Sequence, residues 1–307
     1  MTRAKIIDNA AWAAATPRLS VLIPFHGDDP ARLVAALDRD GGEVELLVLD
    51  DGSGDAELAW SVERAVMAMQ APARFIRLTA NEGRARGRNR LAANARGGHL
   101  LCLDADMLPD ADVFLAAWLD LVRRDNPAVA FGGFSMRHAA PDAAHALHRA
   151  MALRTDCLPA ARRRLAPEKY VFTSNLLIRR DVFDAERFDE SFSGWGWEDV
   201  EWAMRVSRRW PIVHIDNSAT HLGLDSAPAI ARKYEQSAAN FARVVAAHLD
   251  IVSAYPSYKA ARFLKRAPLR RLWRPLLKAA ALADSAPINL RAFSMRLYRA
   301  ALYAEAV

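Results

Sequence analysis

The chain has 307 residues, 52% of them hydrophobic and 25% charged, which excludes a disordered, collagen-like or coiled-coil protein and allows one large domain or two ordinary ones. Its net charge of +6 is uneven: residues 251–307 carry eleven Lys and Arg against two Asp and Glu, a balance of +9, and residues 1–250 a balance of −3. Two cysteines, Cys102 and Cys157, supply neither a disulfide framework nor a Cys-based zinc site, so a reducing compartment is the simpler expectation.

Residues 19–24 (LSVLIP) predict the first strand, and Asp29-Pro30 reads as an N-cap with proline at the first position of a helix over ARLVAALDR. A second strand is expected at 45–49 (ELLVL), ending in Asp50-Asp51-Gly52-Ser53, with a helix over 55–69 after it. A third strand follows at 75–78, an Arg- and Ala-rich helix at 84–95, and a fourth strand at 99–103 (HLLCL), ending in Asp104-Ala105-Asp106. A helix over 112–124 and a strand over 128–134 complete the run. Strand and helix in alternation, with nearly continuous apolar strands, predict an α/β domain around a mostly parallel sheet. Beyond 135 the alternation weakens. A polar and helical insertion at 139–164 precedes a strand-like 170–179 (YVFTSNLLIR), a helix at 198–208, a short strand at 211–215 (PIVHI) and a long helix at 228–250. The basic tail predicts two more helices, at 259–283 and 287–304. There is no internal repeat.

In an open parallel sheet, ligands bind beyond the carboxyl ends of the strands. Three predicted strands end in polar groups there: Phe25-His26, Asp50-Asp51 and Asp104-Ala105-Asp106. Four carboxylates in one crevice repel one another, and persist cheaply when hydrogen bonded, solvated or holding a cation. Neither GxGxxG nor GxxxxGK[ST] is present, so neither a dinucleotide fold nor a P-loop is supported.

The ordered segments PFHG, LVLDDGSGD, NEGRARGRN, LLCLDADM, FTSNLLIRR and FSGWGWEDVEW resemble the family 2 glycosyltransferases of the Rossmann-like GT-A fold. The last segment also resembles the GWGxED pattern of galactosyl- and N-acetylgalactosaminyltransferases. The resemblance covers about residues 18–225, two thirds of the chain. It implies a catalytic domain over 1–250, with a nucleotide-binding half at about 18–135 and an acceptor half at 136–250, followed by a basic helical extension at 251–307.

By that resemblance Asp50 bonds the nucleotide base, usually uracil, with Pro24 and Phe25 walling the base and ribose and Asp51 in support. The same Asp-Gly-Ser is also good Asx-turn chemistry after a strand. Asp104-Ala105-Asp106 matches the DxD motif, with Asp106 as metal ligand and Asp104 holding the ribose or a metal-bound water. His221, 22 residues beyond Asp199, completes the metal shell in this reading. Carboxylate, imidazole and water suit Mn²⁺ or Mg²⁺, and such an ion neutralises a departing diphosphate. Arg88 contacts the nucleotide or supports the DxD loop, while Arg84, Arg86 and Arg90 read as a solvated helix face. Asp199 is the expected general base, since an acceptor hydroxyl needs a proton acceptor as it attacks. Glu198 orients acceptor or donor, Trp195 and Trp197 offer flat faces to a sugar ring, and Asn175 lines the donor-sugar pocket. The alternative for Glu198-Asp199 is a helix N-terminus carrying favourable acids beside two core tryptophans.

The implied reaction is metal-dependent, inverting transfer from a nucleotide-sugar, a UDP-sugar by the family pattern, to a glycan or lipid-linked hydroxyl in polysaccharide or cell-envelope synthesis. A non-catalytic nucleotide-sugar-binding relative is the competing class, against which the presence of both DxD and ED argues. The sequence shows no signal peptide and no run of about 18 uncharged apolar residues, so a cytoplasmic protein is expected. In the tail, Leu264, Leu269, Leu272, Trp273, Leu276 and Leu277 fall at helical spacing among Arg and Lys. Such a helix lies in an anionic membrane interface or packs on the catalytic domain. Nucleic acid is not an expected partner, because the tail has no reader motif and the crevice-bearing body is acidic.

Overall fold

A computed structural model describes residues 3–38, 42–268 and 270–307. The first half contains β1 (Ala4–Asp8), β2 (Leu19–Phe25), α1 (Ala31–Leu37), β3 (Val44–Asp50), α2 (Ala56–Met67), β4 (Ala73–Leu78), α3 (Arg84–Asn94), β5 (His99–Cys102), β6 (Met107–Pro109), α4 (Phe114–Asp125), β7 (Val129–Phe131) and β8 (Phe134–Ser135). Then come α5 (Ala146–Thr155), α6 (Ala160–Arg163), β9 (Leu176–Arg179), α7 (Arg180–Ala185), α8 (Glu198–Ser207), β10 (Ile212–His214), β11 (Ala219–His221) and α9 (Ala227–Ala247). Four helices close the chain: α10 (Leu249–Val252), α11 (Pro256–Lys265), α12 (Arg270–Leu282) and α13 (Ile288–Tyr303).

Eight strands form one sheet in the order β1-β4-β3-β2-β5-β9-β7-β10. β4, β3, β2 and β5 are mutually parallel, β7 and β10 share their direction, and β1 and β9 run against it. The central strands are buried on both faces, which is why they read as continuous apolar runs. Leu19, Val21 and Ile23 of β2 point into one apolar layer with α1, α2 and α4, while Leu22 points into the other, with α3, α7 and α8. Local chemistry sets several element ends. Asp55 accepts from the Glu57 and Leu58 amides to start α2, and Asn126 in left-handed backbone ends α4.

Several expected elements are placed differently. The strand expected at 128–134 is two strands, β7 in the large sheet and β8 in a small three-stranded sheet β6-β11-β8. The chain changes sheets at Gly132-Gly133. The strand expected from 170 begins at Leu176, after a 3-10 turn over Pro167–Tyr170. Pro30 caps α1 rather than opening it, and the Asp29 carboxylate accepts from the Ala31 amide. The tail helix expected over 259–283 is split into α11 and α12, and Leu269 lies outside the described residues.

A third apolar core joins α5, α8, α9, α11 and α13, with Phe241, Met295 and Tyr303 almost fully enclosed. α8 contributes Trp202 to the layer under the sheet and Val200 and Met204 to this third core, so the two bodies are locked through one helix. Among the described residues no helix is long and apolar enough to cross a membrane.

Candidate active site

The carboxyl ends of β2, β3 and β5 meet at one edge of the sheet. There the Asp51 amide donates to the Phe25 carbonyl at 2.9 Å, and the His26 ring bonds the Asp51 carbonyl through Nδ1 at 3.0 Å. Asp50 is buried. Its Oδ1 accepts from the Ser53 amide at 2.8 Å, so the Asx-type turn forms, while buried Oδ2 has no hydrogen-bond partner and lies 3.4 Å from Arg77 Nε. Asp51 holds the loop before α3, accepting from the Glu82 amide at 2.8 Å and the Gly83 amide at 3.0 Å. Burial raises its pKa above the ordinary carboxylate range despite those two bonds. Gly52 belongs to the same contact: a Cβ there would lie 2.3 Å from the Ala80 carbonyl carbon.

Asp104 and Asp106 follow β5. Arg88, 1% exposed, donates through Nη2 to Asp104 Oδ1 at 2.7 Å. Its Nη1 lies 3.7 Å from Glu198 Oε1, and Arg84 Nη1 approaches the same oxygen at 3.8 Å. One buried guanidinium thus lies between Asp104 at a strand end and Glu198 at the start of α8. Arg84 is therefore not a purely solvated residue. Nor is Arg90, which grips Glu82 with two nitrogens.

Asp106 Oδ2 lies 3.1 Å from His221 Nε2, on the adjoining strand β11, and its buried Oδ1 has no partner. Burial disfavours both charged forms. The hydrogen bond and mutual attraction outweigh it, so Asp106 ionises below its ordinary value and His221 above. The approach depends on Gly223, where a Cβ would fall 2.0 Å from Asp106 Oδ2. The His148 ring of α5 stands 5.6 Å from that of His221, and its Nδ1 accepts from the Asp225 amide at 2.7 Å. Burial and the charge of His221 push His148 down to about 4.

Glu198 and Asp199 open α8. Asp199 Oδ1 accepts from the Val200 amide at 2.8 Å, and burial, then the charge of Glu198, raise its carboxyl to about 7. The loop before it is braced. Asn240 donates to the carbonyls of Ser193 and Gly196, both at 2.9 Å, and Trp197 sits at φ 78°, uncommon for a bulky residue.

Three expected positions need correction. Phe25 does not wall the crevice: its side chain is 3% exposed and packs against Phe75 at 6.5 Å, because strand alternation puts it on the same face as Ile23. Pro24, next to it, is half-buried. Trp197 is half-buried and braced by the protein. Its ring packs on Phe241 at 4.9 Å, and its indole N–H donates to the Tyr303 hydroxyl at 2.9 Å. Asn175 is fully buried, with its amide hydrogens spent on the carbonyls of Gly133 and Asn217 and its Oδ1 without a hydrogen-bond partner. Trp195 is likewise half-buried, beside Tyr234.

Sequence reasoning missed Asp28, whose pKa rises through burial and then through the nearby charge of Asp106. Its signal was local, three residues beyond β2. It also missed His148, Gly223 and Tyr303, whose roles come only from chain segments meeting in space.

Two donors of metal-binding type, Asp106 and His221, face each other here. Among the described residues no group of three or more His, Cys, Asp and Glu side chains is gathered closely enough to hold a metal ion. A divalent ion held by this pair would need its remaining ligands from outside the chain. The partnerless Asp106 Oδ1 is the oxygen such an ion would use.

Comparison with solved structures finds the same architecture. The mannosyltransferase PcManGT from Pyrobaculum calidifontis, in complex with GDP-Man and Mn²⁺, matches with a TM-score of 0.61 at 15% identity, over 94% of this chain and 87% of that one. S. aureus TarS 1-349 in complex with UDP matches with a TM-score of 0.52 at 16% identity, over 94% and 90%. At these identities the likeness is one of fold, a GT-A-like sheet flanked by helices. No curated protein sequence matches the chain. The model of the family described as "Glycosyl transferase family 2" matches residues 20–186, more than half of the chain, and stops short of the Trp195–Asp199 run. The strand-end acids and the buried Arg88 lie within that match, and the chain belongs to glycosyl transferase family 2.

Proposed function

We propose that this glycosyltransferase moves a sugar from a UDP-sugar to a hydroxyl of a glycan or lipid-linked acceptor, with inversion and with a divalent ion. The observation that carries the proposal is the Arg88 bridge from Asp104 to Glu198, which brings donor-binding and base-bearing segments into one crevice. Asp50, with a buried oxygen free of hydrogen bonds, is suited to accept from the imide N–H of uracil. Asp104 faces the ribose and diphosphate side. Asp106 and His221 would hold the ion, which supplies charge neutralisation for the leaving diphosphate.

Asp199 acts as the base. With its carboxyl raised to about 7, it is half ionised near neutrality and accepts a proton readily. The acceptor oxygen forms a bond to the anomeric carbon as Asp199 takes its hydrogen. The bond from that carbon to the diphosphate oxygen breaks, and the leaving group departs with the electron pair. Attack opposite to departure inverts the anomeric centre. Arg88 and Arg84 orient Glu198 beside the base. Polysaccharide or cell-envelope glycan synthesis is the setting proposed for the acceptor.

The test is calorimetric titration of UDP with Mn²⁺ or with chelator, on the wild type and on Asp106→Asn, alongside a nucleotide-sugar hydrolysis screen. Metal-dependent UDP binding that Asp106→Asn weakens at least about tenfold is expected. Equal UDP affinity with and without metal refutes the ion, and absence of donor turnover across the screen refutes the enzyme.

A further inference from the structure

α12 carries an apolar face turned away from the protein. A surface helix ordinarily turns its apolar stripe to the protein and its charges to water. Here the protein-facing side includes two cations: Arg274 pairs with Glu305 at 2.9 Å and Lys278 with Glu235 at 2.7 Å. Between them Leu277 packs on the third core, and Ala281 is fully buried. The outward side carries Leu272, Trp273, Pro275, Leu276 and Ala279, all exposed. Leu272 is 62% exposed, Trp273 57% and Leu276 65%, and Phe263 on neighbouring α11 is 76% exposed.

Cations accompany this apolar surface. Lys259, Arg262 and Arg266 are exposed on or just after α11, as is Arg296 on α13. Residues 251–307 as a whole carry a balance of +9. We propose that the outward face of α12, with the Phe263 end of α11, is a docking surface for an anionic lipid bilayer. α12 lies in the interface plane, Leu272, Trp273 and Leu276 enter the boundary between headgroups and acyl chains, and Arg262 and Arg266 meet lipid phosphates.

Two observations favour lipid over a second copy of this chain. A two-fold interface sets a patch against itself, and would bring two strongly basic segments together. Trp and Phe beside Arg are the residues that settle at a membrane–water boundary. Among the described residues no helix is long and apolar enough to cross a membrane. The inference does not depend on the proposed reaction, because none of these residues belongs to the crevice.

The experiment is vesicle flotation of the full chain, with phosphatidylcholine alone or containing about 30% phosphatidylglycerol. The variants are Leu272→Ser/Trp273→Ser/Leu276→Ser and Arg262→Gln/Arg266→Gln, with melting temperature and light scattering as controls. Wild type is expected to float with the anionic vesicles and to release in about 0.5 M salt. The apolar triple variant loses at least about tenfold in affinity. The arginine pair loses up to roughly 25-fold, at roughly fivefold per cation. Melting temperatures stay within about 2 °C, since the replaced side chains are exposed. Failure to float, or equal flotation with neutral vesicles, overturns the proposal. So does a wild-type dimer in the absence of lipid that the triple variant converts to monomer, because the face then covers a second copy.

Discussion

Replacing Asp199 by Asn separates catalysis from architecture, because the two readings of this residue predict opposite effects on stability. Asn keeps the size of the side chain and the oxygen that accepts from the Val200 amide. It removes the proton acceptor, so turnover should fall about 10²- to 10⁴-fold. The carboxyl is raised from 3.8 to about 7 by burial and by Glu198. A folded-state value above the unfolded one means that the folded protein holds this proton more tightly. The associated stability is complete below the unfolded value and is lost as pH rises through about 7. Full ionisation at this site costs roughly 4 kcal/mol as an upper limit, and water at a half-buried group reduces that to about 1–2 kcal/mol. Asp199→Asn should therefore match wild type only below about pH 4, show part of the difference at pH 5, and melt about 2–4 °C higher at pH 8.5. Wild-type activity should climb with pH through about 7 to a plateau. The assays are transfer rate and melting temperature across that pH range. Near-normal transfer by a stable variant places the base elsewhere, and a lower melting temperature at every pH makes Asp199 structural.

Gly223→Ala should displace the Asp106 carboxylate, since the added Cβ falls 2.0 Å from Oδ2. Mn²⁺-dependent UDP affinity is expected to drop at least about tenfold with a melting temperature within about 4 °C of wild type, and retained affinity by calorimetry contradicts this. Tyr303→Phe removes the hydroxyl shared by the Trp197 indole and Ser237. About 1–2 kcal/mol of stability should go with it, together with a severalfold fall in kcat at unchanged donor KM. A raised donor KM instead would show that α13 supports the nucleotide rather than the base.

Much of this protein was legible locally. β2, β3 and β5 announced themselves as short apolar runs, and the acids after them stood where a parallel sheet opens to ligands, so Asp50, Asp104 and Asp106 could be placed at one edge without coordinates. Caps were less exact: Asp55, expected inside the helix over 55–69, is its N-cap, and the helix expected to open at Pro30 is capped by that proline. Strand faces were harder. β2 is buried on both sides, so its pattern does not say which layer Phe25 enters. β6, β8 and β11 are two or three residues long, too short to show any period, and exist only because they pair with one another. The remaining assignments depend on long-range approach: Arg88 with Glu198, Gly223 with Asp106, Trp197 with Tyr303. Composition marked α12 as basic and apolar, but only packing decided that Leu277 and the ion-paired cations face the protein while Leu272, Trp273 and Leu276 face outward. Local sequence encodes period and capping, whereas burial is settled by what the rest of the chain brings alongside.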